Sequence, residues 1–199
     1  MRLHIIVIAW ERPIGLRGLV DSFLLQQTKY DWVMTIVHDG PASPDVKLVM
    51  DDKFYKNDRR ISFLETAGRQ ANWGHANRKA MLQVLMGDPG DFVLITNDDN
   101  YYVPKFVEYM LNEVSKGNVG MVYCDFLHHT LEYINMISRP KLNYIDMGAF
   151  MVELKLAQEV GFNHDVAGAD GLFAEECHAK CIERGLKSIH IEKTLFIHN

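Results

Sequence analysis

The sequence predicts an α/β fold in which a single domain holds a mostly parallel central sheet flanked by helices. Short, continuously apolar runs rich in β-branched residues alternate with longer segments whose apolar residues recur at offsets of three and four. Strands that alternate with helices form βαβ units, whose right-handed crossovers make a sheet mostly parallel. The length of 199 residues and the hydrophobic content of 48% allow one good core and fall short of two full domains.

The first half of the chain carries the clearest elements. Residues 3–9 are continuously apolar, as in a strand that is buried on both faces of a parallel sheet. After the turn at Glu11-Arg12-Pro13, the apolar residues from Leu16 to Leu24 fall on one face of a helix. The next predicted segments are a strand at 32–37, a solvated helix or loop without assigned chemistry at 42–60, a strand at 61–64, a helix at 74–85 and a strand at 92–95.

The second half is less regular. Pro104 stands where the first residue of a helix is expected, an apolar stripe runs from Phe106 to Val114, and Gly117 is a plausible helix stop. The remaining predicted segments are a strand at 119–124, a loop or edge structure at 128–142, a strand at 148–152, helices at 154–160 and 173–184, and two strands at 188–191 and 194–197.

Composition and charge exclude several classes of protein. The net charge of -5 argues against a general nucleic-acid binder, which needs clustered lysine and arginine to displace counterions from phosphates. The three cysteines lack the spacing of a secreted disulfide framework, and no apolar run approaches the length of about 20 residues that a membrane span needs. We therefore expect a cytoplasmic protein without a transmembrane segment.

Acidic residues follow two of the predicted strands. Asp39 comes after the second strand, and Asp98 and Asp99 follow the strand that ends near Ile95. Ligands of parallel sheets bind beyond the carboxyl ends of the strands. Adjacent carboxylates repel each other unless a cation neutralises them, and a site made only of oxygen atoms suits Mg²⁺ or Mn²⁺. The alternative is an Asx-type turn that caps the next helix.

The segment from Leu94 to Pro104, which reads LITNDDNYYVP, resembles the DXD-type motif of GT-A glycosyltransferases, in particular glycosyltransferase family two. Thr96 or Asn97 takes the place of the first acid of that motif. Other landmarks of the family occur in order: Arg12-Pro13 with the helix Leu19-x-x-x-Phe23-Leu24-x-Gln26-Gln27, Asp39-Gly40, Gly74 to Met81, Asp146 to Phe150, and Gly168 to Gly171.

The resemblance implies a GT-A, Rossmann-like domain over residues 1–199, with a nucleotide-binding half at 1–103 and an acceptor-side half at 104–199. It implies a nucleoside diphosphate sugar donor, with UDP, GDP or dTDP as the nucleotide, bound by Ala9, Arg12, Asp39, Gly74, Arg78, Asn97 and Asp98. It places Mn²⁺ or Mg²⁺ on Asp99, with Asp98 and His198 as further ligands. The hydroxyl acceptor is expected beside Asp146, Gly148 and Ala149.

The resemblance also implies a single in-line displacement with inversion, in which Asp170 removes the proton of the acceptor. Ala169 stands where a glutamate often precedes this aspartate, so Asp165 is the reserve candidate for the base. The interpretation without chemistry is that Asp170 is an ordinary N-cap. Two other functions stay open: a nucleotidyltransferase, for which Glu11 to Gly15 is a poor phosphate loop, and a catalytically silent sugar-nucleotide-binding domain. A homo-oligomer is compatible with each of these functions.

Three further features receive structural interpretations. Cys177 and Cys181 share one face of a helix, but zinc needs four ligands and no second pair is evident. The pair His128-His129 lacks partner spacing and is interpreted as loop surface. Trp73 is expected to be a packed core indole, although stacking on a base or sugar is the alternative.

Overall fold

The computed structural model describes all 199 residues and contains one nine-stranded sheet with helices packed against it. The strands are β1 Arg2–Ala9, β2 Asp31–His38, β3 Ile61–Glu65, β4 Phe92–Asn97, β5 Tyr101–Tyr102, β6 Val119–His128, β7 Ile134–Met136, β8 Phe150–Glu153 and β9 Lys187–His198. The helices are α1 Pro13–Leu24, α2 Pro44–Met50, α3 Lys53–Lys56, α4 His75–Val84, α5 Phe106–Ser115, α6 Leu154–Val160 and α7 Ala169–Glu183. Short 3-10 turns cover Asn72–Gly74, His129–Leu131 and Met147–Ala149.

The strand order is β3-β2-β1-β4-β8-β6-β9-β5. Strand β7 lies outside this order and pairs with the end of β6. The long ladders, β1 with β2 and β4, β2 with β3, and β6 with β9, are parallel. The short strand β8 runs antiparallel to both of its neighbours, β4 and β6. The predicted α/β class with a mostly parallel sheet is confirmed, and β8 joins its two parallel parts.

The register brings the carboxyl ends of three strands level with one another. Ala9 at the end of β1 lies opposite His38 in β2, and Ile8 lies opposite Asn97 in β4. From Leu3 to Ala9 every side chain of β1 is buried, because helices cover both faces of the sheet at its centre. The residues that directly follow these three strands therefore meet at one edge of the sheet.

Several predicted boundaries are wrong. Helix α5 begins at Phe106 rather than at Pro104, because the Phe106 amide bonds to the Val103 carbonyl while the Pro104 carbonyl accepts from Gln27. The two strands predicted at 188–191 and 194–197 are the single strand β9, whose register against β6 shifts near Asp125.

Two further assignments also change. The 148–152 strand begins only at Phe150, since the preceding residues form the turn Met147–Ala149. The charged region 42–60 contains α2 and α3 and is not fully solvated, because Val46 and Tyr55 pack into the core. None of the helices is both long and apolar enough to cross a lipid bilayer.

Candidate active site

A cleft of about 670 Å³ lies at the level carboxyl ends of β1, β2 and β4. The seven residues expected to bind the donor all line it: Ala9, Arg12, Asp39, Gly74, Arg78, Asn97 and Asp98. Residues from the second half close its other side, and they include Asp146, Asp170 and His198. The fold thus gathers candidate residues from most of the length of the chain, and their individual roles stay predictions.

The acidic turn after β4 leads into strand β5, not into a helix. Helix α5 begins several residues later, and its N-cap, Lys105, makes no side-chain capping bond. The alternative that the turn caps the next helix is therefore wrong. The carboxylates of Asp98 and Asp99 therefore do not cap helix α5.

A buried polar network fixes the shape of the acidic turn. The Asn100 side-chain amide donates to Thr96 Oγ1 at 3.0 Å, and the Tyr102 hydroxyl donates to the same oxygen at 2.7 Å. A side chain at Gly15 would meet the Asp98 carbonyl and Asp99 Cα at 3.0 and 3.1 Å, so only glycine allows α1 to approach this closely. Asn100, although part of the motif, has a structural role.

Asp98 is almost completely buried. Its Oδ2 accepts from the Trp10 amide at 2.8 Å, and its Oδ1 accepts from Arg12 Nη1 at 3.3 Å. Burial raises the pKa of Asp98 to about 7, and repulsion from Asp99 adds to this, while the Trp10 amide and Arg12 oppose it. The two protein donors only partly compensate the buried charge.

Asp99 is neutralised even less completely. Arg12 forms an ion pair with its Oδ2, but its buried Oδ1 has no hydrogen-bond partner. Burial raises the pKa of Asp99, whereas Arg12 and His198 lower it. An oxygen that is buried and unpartnered beside a second carboxylate fits a hard divalent cation, for which oxygen ligands are preferred. These residues therefore fit Mg²⁺ or Mn²⁺.

Asp39 orders the loop on the opposite side of the cleft. Its Oδ1 accepts from the Gln70 amide and from the Asn77 side chain, both at 2.8 Å, and its Oδ2 accepts from the Ala71 amide at 2.9 Å. This loop is strained: Ala71, Asn72 and Trp73 all have φ between 51° and 54°. The carboxylate of Asp39 thus holds a segment that non-glycine residues adopt only at a cost.

Arg78 joins this loop to the acidic turn. Its Nη1 donates to the Trp73 carbonyl, and its Nη2 donates to Asn97 Oδ1 at 2.6 Å. Burial lowers the pKa of the guanidinium, while Asp170 and Asp146 raise it. Gly74 lets α4 begin against β1, since a side chain there would lie 2.4 Å from Ile8 Cγ2. Arg78 is therefore a buried cation held by neutral oxygens on both sides.

Asp170 faces the cleft from the first turn of α7. The helix begins at Ala169 with Gly168 as its N-cap, so the interpretation of Asp170 as the N-cap is wrong. Asp170 Oδ1 accepts only from the Gly171 amide, at 2.9 Å. Burial raises the pKa of Asp170, and repulsion from Asp146 raises it further. A carboxylate with these properties is a stronger base than an exposed one.

Asp146 and His198 form a pair beside Asp170, with His198 Nδ1 2.9 Å from Asp146 Oδ2. Burial disfavours the charged imidazole, but the hydrogen bond and charge of Asp146 outweigh it and raise the pKa of His198. Asp146 Oδ1 also accepts a hydrogen bond from the Gly148 amide at 2.8 Å. The negative charges of this part of the cleft thus favour protonation of His198.

Four predicted site residues do not line the cleft. Asp99 is not part of the cleft lining, although its neighbour Asp98 is. Gly148 and Ala149 are buried, and a side chain at Gly148 would meet the Tyr102 hydroxyl. The Asp165 side chain is 71% exposed and contacts Asn72 and His75 instead. The reserve candidate for the base is thus outside the cleft.

Trp10 and Arg69 line the cleft but were missed by sequence reasoning, and Trp73 lines it although a core position was expected for this residue. Trp73 is 64% exposed rather than packed in the core, because the left-handed turn at Asn72–Gly74 directs it outward. Trp10 and Arg69 form a cation–π pair, with the guanidinium carbon 3.9 Å from the ring centre. The position of Trp10 directly after β1 was a usable signal, but nothing in the local pattern around Arg69 indicates its partner.

Comparison with known proteins agrees with this geometry. The model of the family described as Glycosyl transferase family 2 matches residues 4–165. No curated protein sequence matches the chain. Among solved structures, S. aureus TarS 1-349 superposes with a TM-score of 0.77 at 14% identity, over 100% of this chain and 60% of that one. The same protein in complex with UDP gives a TM-score of 0.77 at 13% identity, with the same coverage.

A second similar structure is the mannosyltransferase PcManGT from Pyrobaculum calidifontis in complex with GDP-Man and Mn²⁺. Its TM-score is 0.73 at 14% identity, over 98% of this chain and 56% of that one. The chain spans about 60% of the length of the TarS 1-349 structures. Likeness at such low identity shows the fold alone, and it confirms the GT-A class. The family match covers most of the chain, and the protein therefore belongs to glycosyl transferase family 2.

Proposed function

We propose that this chain transfers a glycosyl group from a nucleoside diphosphate sugar to a hydroxyl acceptor, with inversion and with a divalent metal ion. One observation carries the proposal. Asp98, one of two adjacent and incompletely partnered carboxylates at the end of β4, lines the same cleft as a separate carboxylate, Asp170 on α7. Transfer from a diphosphate needs both: a cation site for the leaving group and a base for the acceptor.

The residues of the first half bind and orient the donor. The loop ordered by Asp39 presents Trp73 and Arg69 to the nucleotide, and Arg12 is free to exchange its carboxylate partners for a phosphate. Mn²⁺ or Mg²⁺ bound by Asp99 and Asp98, with His198 near, would stabilise the departing diphosphate as a Lewis acid. The chain then needs no cationic phosphate loop of its own.

The residues of the second half handle the acceptor. Asp170 accepts the acceptor proton at a carboxylate oxygen as the hydroxyl attacks, and the bond to the diphosphate breaks on the opposite side of the sugar carbon. A single displacement of this kind inverts the configuration at that carbon. Asp146 Oδ2 lies 2.9 Å from His198 Nδ1 and orients that ring.

The relatives support the nature of the donor. TarS has been solved with UDP and with UDP-GlcNAc, and PcManGT with GDP-Man and Mn²⁺. They do not identify the base or the sugar of this chain's donor, because each complex belongs to a distant relative. We therefore propose the class of donor only.

The first test is calorimetry with UDP, GDP and dTDP, each with and without Mn²⁺. We expect at least one of them to bind in a metal-dependent way. If none of the three nucleotides binds in the presence of Mn²⁺, the proposal of a nucleoside diphosphate sugar donor is contradicted. Analysis of products then separates the alternatives, because a nucleotidyltransferase releases pyrophosphate from a nucleoside triphosphate, whereas transfer to an acceptor releases a nucleoside diphosphate.

The Asp39→Ala variant is expected to bind the selected nucleotide at least about tenfold more weakly. It removes three hydrogen bonds to a carboxylate, each worth about 1.5–3 kcal/mol, so the strained loop at Ala71, Asn72 and Trp73 loses its anchor. Calorimetry measures the affinity, and hydrogen exchange at 70–74 measures the order of the loop. Unchanged nucleotide affinity together with faster hydrogen exchange would contradict a role of this loop in donor binding.

Binding of Mn²⁺ is expected to weaken as the pH falls. The metal needs ionised Asp98, whose pKa burial raises to about 7, so protons compete as the pH drops through this value. Affinity at pH 6 should be about tenfold weaker than at pH 8, and protonation of His198 acts in the same direction. Calorimetry at both pH values tests this, and Asp98→Asn should reduce the slope. Affinity that is constant or higher at pH 6 would contradict it.

A further inference from the structure

Three histidines from distant parts of the sequence form a cluster at the rim of the cleft. His128 ends β6, His129 begins the following 3-10 turn, and His198 ends β9. The parallel register pairs His128 with His198, and the two rings stack with their centres 4.3 Å apart. One ring nitrogen of each histidine lies within 4.8 Å of those of the other two. The spatial partner of His128-His129 is thus His198, which the local sequence spacing does not indicate.

An oxygen atom lies close to the Nδ1 atom of each ring. His128 Nδ1 lies 2.8 Å from the Thr130 hydroxyl, His129 Nδ1 lies 3.2 Å from the His198 carbonyl, and His198 Nδ1 lies 2.9 Å from Asp146 Oδ2. The three Nε2 atoms have no hydrogen-bond partner in the protein. Oxygen acceptors on the second ring nitrogen, carboxylate and carbonyl above all, are the usual outer-shell support of histidines that bind metals.

A tetrahedral Zn²⁺ at about 2.0–2.1 Å from three imidazole nitrogens holds these nitrogens roughly 3.3 Å from one another, so the cluster must contract when it binds an ion. The three rings are stacked with interplanar angles of 10–27°, so they must also rotate about their side-chain torsions before their lone pairs converge on one ion. The ion displaces any proton on the ligating nitrogens, so binding weakens at low pH.

We propose that His128, His129 and His198 form a second metal site, made of nitrogen ligands, that takes Zn²⁺ or a similar borderline transition metal ion. Its nitrogen donors distinguish it from the site at Asp98 and Asp99, whose oxygen atoms suit Mg²⁺ or Mn²⁺. His198 binds one ion at a time, so an ion held by the three histidines leaves the oxygen site without this ligand. The bound ion cross-links the ends of β6 and β9 and leaves one coordination position for water. This inference does not depend on the proposed glycosyl transfer, since the site is defined by the three rings alone.

The test is a titration of the full chain, without a polyhistidine tag, with Zn²⁺ in competition with a chromophoric chelator, and with Co²⁺ followed by its visible absorption. We expect one equivalent of Zn²⁺ per chain, a tetrahedral Co²⁺ spectrum and a rise in melting temperature on binding. His128→Ala and His129→Ala should each weaken Zn²⁺ binding by more than the roughly 10–100-fold that outer-shell partners contribute.

Two variants make the test specific. His164→Gln replaces a histidine that pairs with Glu176 and has no ring contact with the three cluster histidines, and it should leave Zn²⁺ affinity unchanged. Asp99→Ala should also retain Zn²⁺, because that residue belongs to the oxygen site. The proposal is overturned if the His128→Ala/His129→Ala double variant, folded by circular dichroism, binds Zn²⁺ like the wild type. It is equally overturned if Asp99→Ala alone abolishes Zn²⁺ binding.

Discussion

Asp99→Ala is expected to abolish the Mn²⁺-dependent part of nucleoside diphosphate binding and to lower glycosyl transfer by roughly 10³-fold, since a metal ion at a departing phosphate stabilises the transition state by several kcal/mol. The reason lies in the geometry of the acidic turn. Asp99 Oδ1 is buried without a partner, and Arg12 is the one cation that contacts both carboxylates. Removing Asp99 leaves Asp98 paired with Arg12 and takes away the charge that holds the ion.

Calorimetry with and without Mn²⁺ measures this effect, and thermal unfolding separates it from loss of structure. The matched control is Asp51→Ala, an exposed carboxylate whose ion pair with Lys56 lies on the surface, where such pairs contribute little. This control should bind the nucleotide and Mn²⁺ like the wild type. If Asp99→Ala retains metal-dependent binding while Asp98→Asn loses it, the principal ligand is Asp98 and the assignment of the two residues must be reversed.

The first half of the chain was the more predictable part of the fold. Its strands are buried on both faces, so they appear as continuous apolar runs, and the rule that ligands bind beyond their carboxyl ends predicts where Asp39 and Asp98 meet. The register of β1 with β2 and β4 brings these residues to one cleft, as the pattern indicates. The same rule extends to Trp10, which directly follows β1.

The second half was less predictable because its contacts are non-local. Strand β8 lies antiparallel between two parallel parts of the sheet, which the alternation of strands and helices does not indicate. His128 and His198 become neighbours only through the register of β6 with β9. Trp73 is apolar and follows a short loop, so the local pattern favours burial, whereas the backbone turn that exposes it depends on hydrogen bonds to Asp39.

The strained loop suggests how the cleft is kept ready for a ligand. Three non-glycine residues with left-handed φ cost of the order of 1–3 kcal/mol each, and the hydrogen bonds from Gln70, Ala71 and Asn77 to Asp39 offset much of this cost. The loop conformation therefore depends on a carboxylate in the site itself. A sequence-based argument sees Asp39 as a ligand-binding acid, while the structure gives it an organising role as well.

Asp170→Asn is expected to lower the rate of glycosyl transfer by about 10²–10⁴-fold, the usual contribution of a general base, while the affinity for nucleoside diphosphate and Mn²⁺ stays within about twofold of the wild type. Asparagine has the same shape, and its carbonyl oxygen is able to accept from the Gly171 amide, so α7 should begin as before. What the variant loses is the oxygen that takes the acceptor proton.

Single-turnover transfer and calorimetry on the same sample measure the two quantities separately. Asp165→Asn is the rival variant: its exposed carboxylate lies outside the cleft, so its effect on transfer should be less than about tenfold. In the wild type, transfer should decline as the pH falls through the pKa of Asp170, which burial and Asp146 raise above the ordinary aspartate range. If Asp165→Asn removes transfer and Asp170→Asn retains it, the assignment of Asp170 as the base is wrong, and Asp165 must reach the acceptor although it lies outside the cleft lining.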